Sequence, residues 1–283
     1  PIRTLTVGGA LVLVLPDERA VSRAGAELTV ATLQAALDES GVAHLVLTGG
    51  SSAVALYSLM SEGGWRDRLA DWSHVHLWWG DERMVPPDHP ESNVGLAYRE
   101  LLSIGAKTAQ SSVGEGTDVS AGVAAGLPIP AENVHAPQVV EGLRSDDPGR
   151  AVAEAYARLV AQLVPHGPDG NPRFDVVHLG IGPDGHIMSV FPGSPALAPD
   201  APVAMGVDAP QHVGPHIARV TLTPRVLAPA RRVIVMATGA AKSGVLAQIL
   251  GPHREPARWP AQLAVLPSTT WLLDVEAAAD LPG

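Results

Sequence analysis

The sequence contains no cysteine, and this absence excludes thiol nucleophiles, disulfide bonds, thiolate zinc sites and iron–sulfur ligation. Basic residues are in the minority, because 19 Lys and Arg stand against 29 Asp and Glu and give a formal net charge of -10. The chain has no dense run of Lys or Arg, so a nucleic acid would have to bind against the overall field. We therefore expect no nucleic-acid partner, and the isolated basic residues need a local anion to explain them.

Long apolar runs are also missing, since no stretch approaches the ~20 consecutive apolar residues of a membrane span. Residues 7–15 are apolar and follow Arg3, so they resemble the core of a signal peptide. They lack a cleavage site of small residues and continue into a polar stretch at 16–19, which predicts a first strand instead. We expect a cytoplasmic protein without membrane contact.

The chain of 283 residues is 46% hydrophobic and long enough to bury a large core. Strands are predicted at 43–48, 75–79, 174–179, 219–222, 232–238 and 270–274, and helices at 17–39, 51–60, 93–102, 149–164 and 240–251. This alternation predicts an α/β fold with a mostly parallel, Rossmann-like open sheet and helices on both faces. We expect one domain over 1–283, a monomer or small homo-oligomer, with a flexible insertion rich in Gly, Ala and Ser at about 104–130.

The strand at 174–179 leads directly into a turn that contains Gly180, Gly182, Asp184, Gly185 and His186. Glycines let a ligand approach the main chain, while the acid and the histidine offer a carboxylate and a base near neutrality. The glycines also spell the dinucleotide fingerprint G-x-G-x-x-G, with Asp208 near the spacing of a ribose-binding acid. That motif requires a helix to begin here, and the prolines at 183 and 192 argue against one. The turn is typical of an active site.

A second glycine turn, Gly49-Gly50-Ser51-Ser52, joins the strand at 43–48 to a helix. Its backbone N–H groups and hydroxyls at a helix N-terminus suit a phosphate. The turn is also close to a G-x-S-x-G nucleophile elbow, but Ala53 replaces the second glycine. We therefore favour Ser51 as a phosphate or turn ligand over Ser51 as a nucleophile, with an ordinary helix N-cap as the alternative.

Three basic residues stand beside strand ends: Arg83, Arg219 and Lys242. Lys242 lies in the first turn of a predicted helix, where the helix dipole disfavours a cation unless an anion is bound. An exposed surface lysine is the alternative. Convergence of the three cations on one cleft would clamp a phosphate.

Four histidines invite other interpretations. His74 and His76 are two apart on a predicted strand and would face the same way, as metal ligands do, with half-buried sheet side chains as the alternative. No carboxylate cluster completes a metal set, although Asp81 and Glu82 leave that interpretation open. His212 and His216 lie in a loop rich in Pro and Gly, and we expect them to be solvated.

The ordered set of motifs resembles the 6-phosphogluconolactonase family over nearly the whole chain. The matching segments are Leu47-Thr48-Gly49-Gly50-Ser51, Trp79-Gly80-Asp81-Glu82-Arg83, Ser92-Asn93, Ile129-Pro130-Ala131-Glu132-Asn133-Val134-His135, Leu179-Gly180-Ile181-Gly182-Pro183-Asp184-Gly185-His186, Phe191-Pro192-Gly193, Arg219-Val220-Thr221-Leu222-Thr223 and Lys242. The resemblance implies hydrolysis of a sugar-phosphate lactone without a metal or organic cofactor. It makes His186 the general base with Asp184 beside it, and it assigns Arg83, Lys242 and less directly Arg219 to the phosphate. The remaining substrate-site residues that we expect are Gly49, Gly50, Ser51, Asp81, Asn93 and Gly182.

Two departures from the family pattern concern local detail. The family usually continues G-H-T-A-S, whereas this chain has His186-Ile187-Met188-Ser189, and Ser52-Ala53 replaces the usual residues after Ser51.

The related deaminase of glucosamine 6-phosphate typically carries Asn-Gly-His and D-E-Y, so Asp184 and Arg83 favour the lactonase. A non-catalytic sugar-phosphate-binding module is a further alternative.

Overall fold

The computed structural model describes residues 1–102 and 126–282, and these contain eleven strands and seven α-helices. In chain order they are β1 (Arg3–Val7), β2 (Ala10–Leu15), α1 (Glu18–Ser40), β3 (Ala43–Leu47), α2 (Ser51–Ser61), α3 (Gly63–Arg66), β4 (Val75–Trp79), β5 (Asp81–Arg83), α4 (Asn93–Ala97), β6 (Val134–His135), α5 (Val139–Gly142), α6 (Pro148–Leu163), β7 (Val176–Leu179), β8 (Ala204–Val207), β9 (Arg219–Leu222), β10 (Arg232–Ala237), α7 (Ser243–Ile249) and β11 (Thr269–Asp274).

Eight strands form the main sheet in the order β1-β2-β11-β10-β7-β3-β4-β6. All neighbours are parallel except β1 and β2, which are antiparallel. Successive strand residues enter different cores: Trp78 belongs to the core that includes residues of α6 and α7, whereas Trp79 belongs to the core that includes residues of α1 and α2. The predicted mostly parallel sheet with helices on both faces is therefore confirmed, and burial on both faces explains why its strands are continuous apolar runs.

The N-terminal run at 7–15, predicted as one strand, is instead part of a hairpin. Gly8 and Gly9 both have positive φ, of 54° and 87°, and turn β1 back onto β2. The prediction was wrong because glycine adopts this backbone conformation without the steric cost that other residues meet.

A second sheet has three antiparallel strands in the order β5-β9-β8. The predicted strand at 219–222 is β9, so it belongs to this small sheet and not to the main one. Gly80 links the two sheets, since its N–H donates to the carbonyl of Leu47 at 2.9 Å and its carbonyl accepts from the N–H of Leu222 at 2.7 Å. This places β5 and β9 beside the carboxyl ends of the parallel strands.

The predicted insertion at about 104–130 lies largely outside the described residues. Its last five residues, 126–130, are described, and the side chains of Leu127 and Ile129 are buried in the core beneath α1 and α2. No helix within the described ranges is long and apolar enough to cross a membrane.

Candidate active site

A cleft of about 240 Å³ opens at the carboxyl ends of β3, β4, β7 and β10, where open α/β sheets bind their ligands. All but one of the catalytic and substrate-site residues predicted from the sequence line it. They are Gly49, Gly50, Ser51, Asp81, Arg83, Asn93, Gly182, His186, Arg219 and Lys242. The exception is Asp184, which does not line the cleft but contacts His186 from behind.

The turn after β7 holds His186 against Asp184. The Nδ1 atom of His186 lies 2.5 Å from Oδ1 of Asp184, and the backbone N–H of His186 donates to the same oxygen at 3.2 Å. The side chains are only 12% and 13% exposed. Burial acts to raise the pKa of Asp184, but its hydrogen bonds with His186 and His212 and the charge of His186 outweigh burial and hold that pKa below its usual value. Asp184 is therefore a carboxylate.

An ionised carboxylate only accepts hydrogen bonds, so the Nδ1 atom of His186 carries the proton in this contact. Whenever the ring is neutral, the Nε2 atom is then the nitrogen without a proton. It has no hydrogen-bond partner within the part of the chain that the structure describes, and the ring forms part of the cleft wall. The contact with Asp184 thus fixes the tautomer of His186 and leaves its other ring nitrogen unprotonated toward the cleft.

Asp184 has a second histidine partner that the sequence did not reveal. The Nε2 atom of His212 lies 2.9 Å from Oδ2 of Asp184, although the His212 side chain is 58% exposed. His212 is therefore exposed to solvent as expected, but it also has a contact that the sequence did not predict. No local pattern signals this contact, because it joins residues 28 positions apart through a loop. His216, in the same loop, is exposed as expected.

Arg83 and Arg219 are directly opposite each other on the antiparallel pair β5 and β9. Like charges in this position repel, so an anion between or beside them would be stabilising. A nitrogen of Arg83 donates to the carbonyl of Glu91 at 2.5 Å and lies 3.3 Å from its carboxylate. Arg219 is buried, donates to Ser189 and to the carbonyl of Pro215, and has a pKa lowered chiefly by burial, with Arg83 adding to the effect.

Lys242 is half-buried in a short 3₁₀ turn, Ala240–Lys242, just before α7. Its ammonium donates to the carbonyl of Ile181 at 2.7 Å, which fixes it beside the turn that carries His186. Burial lowers its pKa, and the negative charge of Asp184 partly offsets this shift. The alternative of an exposed surface lysine is wrong, since the side chain points into the site.

The glycine turn after β3 presents the N-terminus of α2 to the cleft. Gly50 has a φ of 90° and occupies the N-cap position, where no side chain of the described residues accepts from the first N–H groups. These groups can therefore bind an anion. Ser51 follows as the first helical residue, so it is not the N-cap, and its hydroxyl makes no hydrogen bond to a histidine of the described chain.

Asn93 packs directly against Gly49, because a Cβ atom on Gly49 would lie 2.0 Å from Oδ1 of Asn93. The Asn93 side chain donates to the carbonyl of Asp81 at 3.0 Å. The Asp81 carboxylate also accepts from the Ser189 hydroxyl at 2.5 Å. Strand β5, helix α4 and the turn after His186 are thus joined through Asp81.

From the sequence, Glu82 was expected only as part of a matched motif and as a carboxylate near the histidine pair. Its buried carboxylate accepts four hydrogen bonds, from the backbone N–H groups of Arg83, Asn93 and Val94 and from the Ser92 hydroxyl. Burial nevertheless raises its pKa. Glu82 binds the N-terminus of α4 and thereby positions both Arg83 and Asn93.

The other histidine and glycine patterns have structural explanations. His74 precedes β4 and contacts Asp71, so it does not share a strand with His76, which instead pairs with His135 at 2.8 Å. Among the described residues no group of three or more His, Cys, Asp or Glu could hold a metal. No helix follows Gly180, Gly182 and Gly185, which leaves the dinucleotide motif without its structural context.

Comparison with known proteins identifies relatives over nearly the full chain. The family model described as glucosamine-6-phosphate isomerases/6-phosphogluconolactonase matches residues 16–272. The 6-phosphogluconolactonase of Mycobacterium leprae is 35% identical over 276 residues, which cover 97% of this chain and 99% of that protein. The 6-phosphogluconolactonase of Mycobacterium tuberculosis is 34% identical, with 95% and 97% covered.

Among solved structures, the 6-phosphogluconolactonase from Trypanosoma brucei has a TM-score of 0.77 at 27% identity and covers 99% of this chain and 100% of its own. The chain therefore belongs to the family of glucosamine-6-phosphate isomerases and 6-phosphogluconolactonases.

Proposed function

We propose that this protein hydrolyses 6-phospho-D-glucono-1,5-lactone to 6-phospho-D-gluconate, a step of the pentose phosphate pathway. One observation carries the proposal: the His186 ring, held by Asp184, faces a cleft that is also lined by Arg83, Arg219 and Lys242. A base and a cluster of cations in one cleft suit a substrate with an electrophilic carbon and a distant phosphate. Relatives that are 34% and 35% identical carry the name 6-phosphogluconolactonase, which supports the same substrate.

The chemical step needs only a base and stabilisation of charge, because a lactone is an activated ester. His186 Nε2 removes a proton from water as the water oxygen attacks C1, which gives a tetrahedral oxyanion. The C1–O bond of the ring then breaks, and the imidazolium returns the proton to the ring oxygen. The products are a carboxylic acid and a hydroxyl group. Asp184 stabilises the imidazolium between the two transfers, and no metal or organic cofactor enters these steps.

The phosphate lies in the cationic part of the cleft. Arg83 and Arg219 bind it from the small sheet, Lys242 from the turn before α7, and the N–H groups of Gly50 and Ser51 from the start of α2. Binding energy from this remote group positions the lactone carbon near His186. Asp81 and Asn93 complete the wall and are available to the sugar hydroxyls.

A lactonase assay on freshly generated 6-phosphogluconolactone tests the proposal, since catalysis must exceed the spontaneous rate. Parallel incubation with glucosamine 6-phosphate tests the other activity named for the family, and ammonia release without lactone turnover would contradict the proposal. Binding of the sugar phosphate without turnover would identify a non-catalytic module. Labelling of Ser51 by a fluorophosphonate would indicate a serine hydrolase, and we expect none.

A cytoplasmic location, a monomeric or small homo-oligomeric state and the lack of a nucleic-acid partner stay predictions from the sequence. Size-exclusion chromatography with light scattering measures the oligomeric state directly. We expect the mass of one chain or of a few copies, and a large assembly would contradict this.

A further inference from the structure

We propose that His212 is a positioning residue for the Asp184–His186 pair, which it holds through the second oxygen of Asp184. Testing it by turnover rests on the proposed lactonase activity, whereas the geometric argument does not. The two oxygens of Asp184 have different hydrogen-bond partners. Oδ1 accepts both bonds from His186, whereas Oδ2 has His212 as its one hydrogen-bond partner among the described residues.

A carboxylate can rotate about its bond to Cβ unless both oxygens are held. Because Asp184 is ionised, His212 must present a protonated Nε2 to it, so His212 donates at 2.9 Å. This donor fixes the plane of the carboxylate, and the plane determines where Oδ1 points. The orientation of the His186 ring, and hence of its free Nε2, follows from the position of Oδ1.

His212 also connects this pair to the opposite wall of the cleft. It stands in the segment 208–218 between β8 and β9, whose Val213 and Gly214 line the cleft. Within the described chain, His212 is the one residue of that segment whose side chain makes a hydrogen bond. This hydrogen bond joins the wall to the turn that carries His186.

Other charges near Asp184 do not replace this contact. Lys242 and Arg219 interact with Asp184 electrostatically, but Lys242 donates to Ile181, and Arg219 donates to Ser189 and Pro215. Loss of His212 leaves these fixed charges in place and removes a directional donor. The expected consequence is a misoriented base with an intact phosphate site.

The test compares three variants in the full chain. His212→Ala should lower kcat about three- to ten-fold, the range for loss of one hydrogen bond, while KM stays within about two-fold. His212→Gln should restore most of kcat, because its amide also donates N–H with similar reach. His216→Ala is the matched control from the same loop, and its kinetics should equal those of the wild type.

A double-mutant cycle adds a readout that general loosening of the loop would not produce. In an Asp184→Asn background, His212→Ala should have little further effect on kcat, since His212 acts through that carboxylate. Fully additive losses would overturn the inference. Equal kcat values for His212→Ala and His216→Ala would overturn it as well.

Proton NMR supplies a measurement that does not depend on turnover. The Nδ1 proton of His186, in its short bond to Asp184, should give a far-downfield resonance in the wild type, in His212→Gln and in His216→Ala. In His212→Ala the resonance should broaden or vanish through exchange with water, and a resonance unaffected by that change would overturn the inference. If the wild type lacks lactonase activity but its resonance depends on His212, the proposed function fails and the positioning role stands.

Discussion

Gly182 and His186 are in such close contact that a methyl group on Gly182 would lie 2.0 Å from Nδ1 of the imidazole. Gly182 does not have a positive φ, so its backbone would accept alanine. The three nearest atoms all belong to the histidine ring, so glycine at this position lets the ring pack closely against the turn. A pattern that resembles a dinucleotide fingerprint thus has a different physical cause here.

Gly182→Ala should displace the His186 ring and lower kcat by roughly 10²-fold, the effect of a misplacement of about 1 Å. Activity is measured beside the far-ultraviolet circular dichroism spectrum, which should not change. Gly180→Ala is the matched control from the same turn, because its Cβ would meet its nearest neighbour, the Gly49 carbonyl oxygen, at an ordinary 3.8 Å. Equal activity of both variants would contradict the close packing.

His186→Ala should reduce kcat by about 10²–10⁴-fold, the usual contribution of one general base. Affinity for the product 6-phosphogluconate, measured by calorimetry, should remain near the wild-type value because the cations are untouched. Unchanged turnover would remove His186 from the role of base. A large loss of affinity would show that the ring also binds the ligand.

Arg83→Ala should raise KM for the phosphorylated lactone about ten- to a hundred-fold, since a hydrogen bond to a charged group contributes about 1.5–3 kcal/mol. The value of kcat/KM for unphosphorylated gluconolactone should not change. The ratio of kcat/KM for the two substrates therefore measures how much Arg83 contributes to phosphate binding. Arg144→Ala, at an exposed position, is the control. If both substrates lose equally, Arg83 does not bind the phosphate.

Glu82→Gln should destabilise the fold by about 1–3 kcal/mol, because an amide cannot accept all four hydrogen bonds and places its own N–H groups against donors. Urea unfolding measures the free energy of unfolding, and the slope of that free energy against urea concentration should be the same in the variant and the wild type. The same substitution at the exposed Glu62 should change the free energy of unfolding only slightly. Indistinguishable midpoints for the two variants would argue against Glu82 as the anchor of α4.

Stability should fall in mild acid because several histidines are buried in neutral form. Burial, with smaller effects from His76 and His135, lowers the pKa of His44 to about 3, and burial alone lowers that of His178 to about 3. The unfolded chain binds these protons below about pH 6.5 while the native state does not, so the free energy of unfolding decreases as pH falls from about 6.5 toward 3. Each of the two contributes about 1.4 kcal/mol per pH unit well below pH 6.5.

Urea unfolding at pH 7, 6 and 5 measures this dependence. In His178→Gln, the slope of the free energy of unfolding against pH should fall by the contribution of one bound proton. Comparison of the two slopes isolates His178, because acidic groups such as Glu82 titrate in both proteins. Identical slopes would show that His178 is protonated in the folded state or that it stays neutral in both states.

The sequence by itself determined the order of the main elements, because each depends on local periodicity and on turn residues. Helix α1, for example, begins after the cap Asp17 and ends at Gly41, which has a φ of 73°. The glycine turns at 49–50 and 180–185 were identifiable because a strand runs directly into each of them. The resemblance of these turns to a known family indicated the candidate base and cations.

Only the tertiary structure decided how those residues meet. The register of β5 and β9 places Arg83 opposite Arg219, 136 positions later in the chain, and periodicity within either strand does not specify that pairing. The Asp184–His212 contact depends on the path of a loop that has no regular pattern. Local sequence fixes backbone preference over a few residues, whereas these contacts depend on how the two sheets pack against each other.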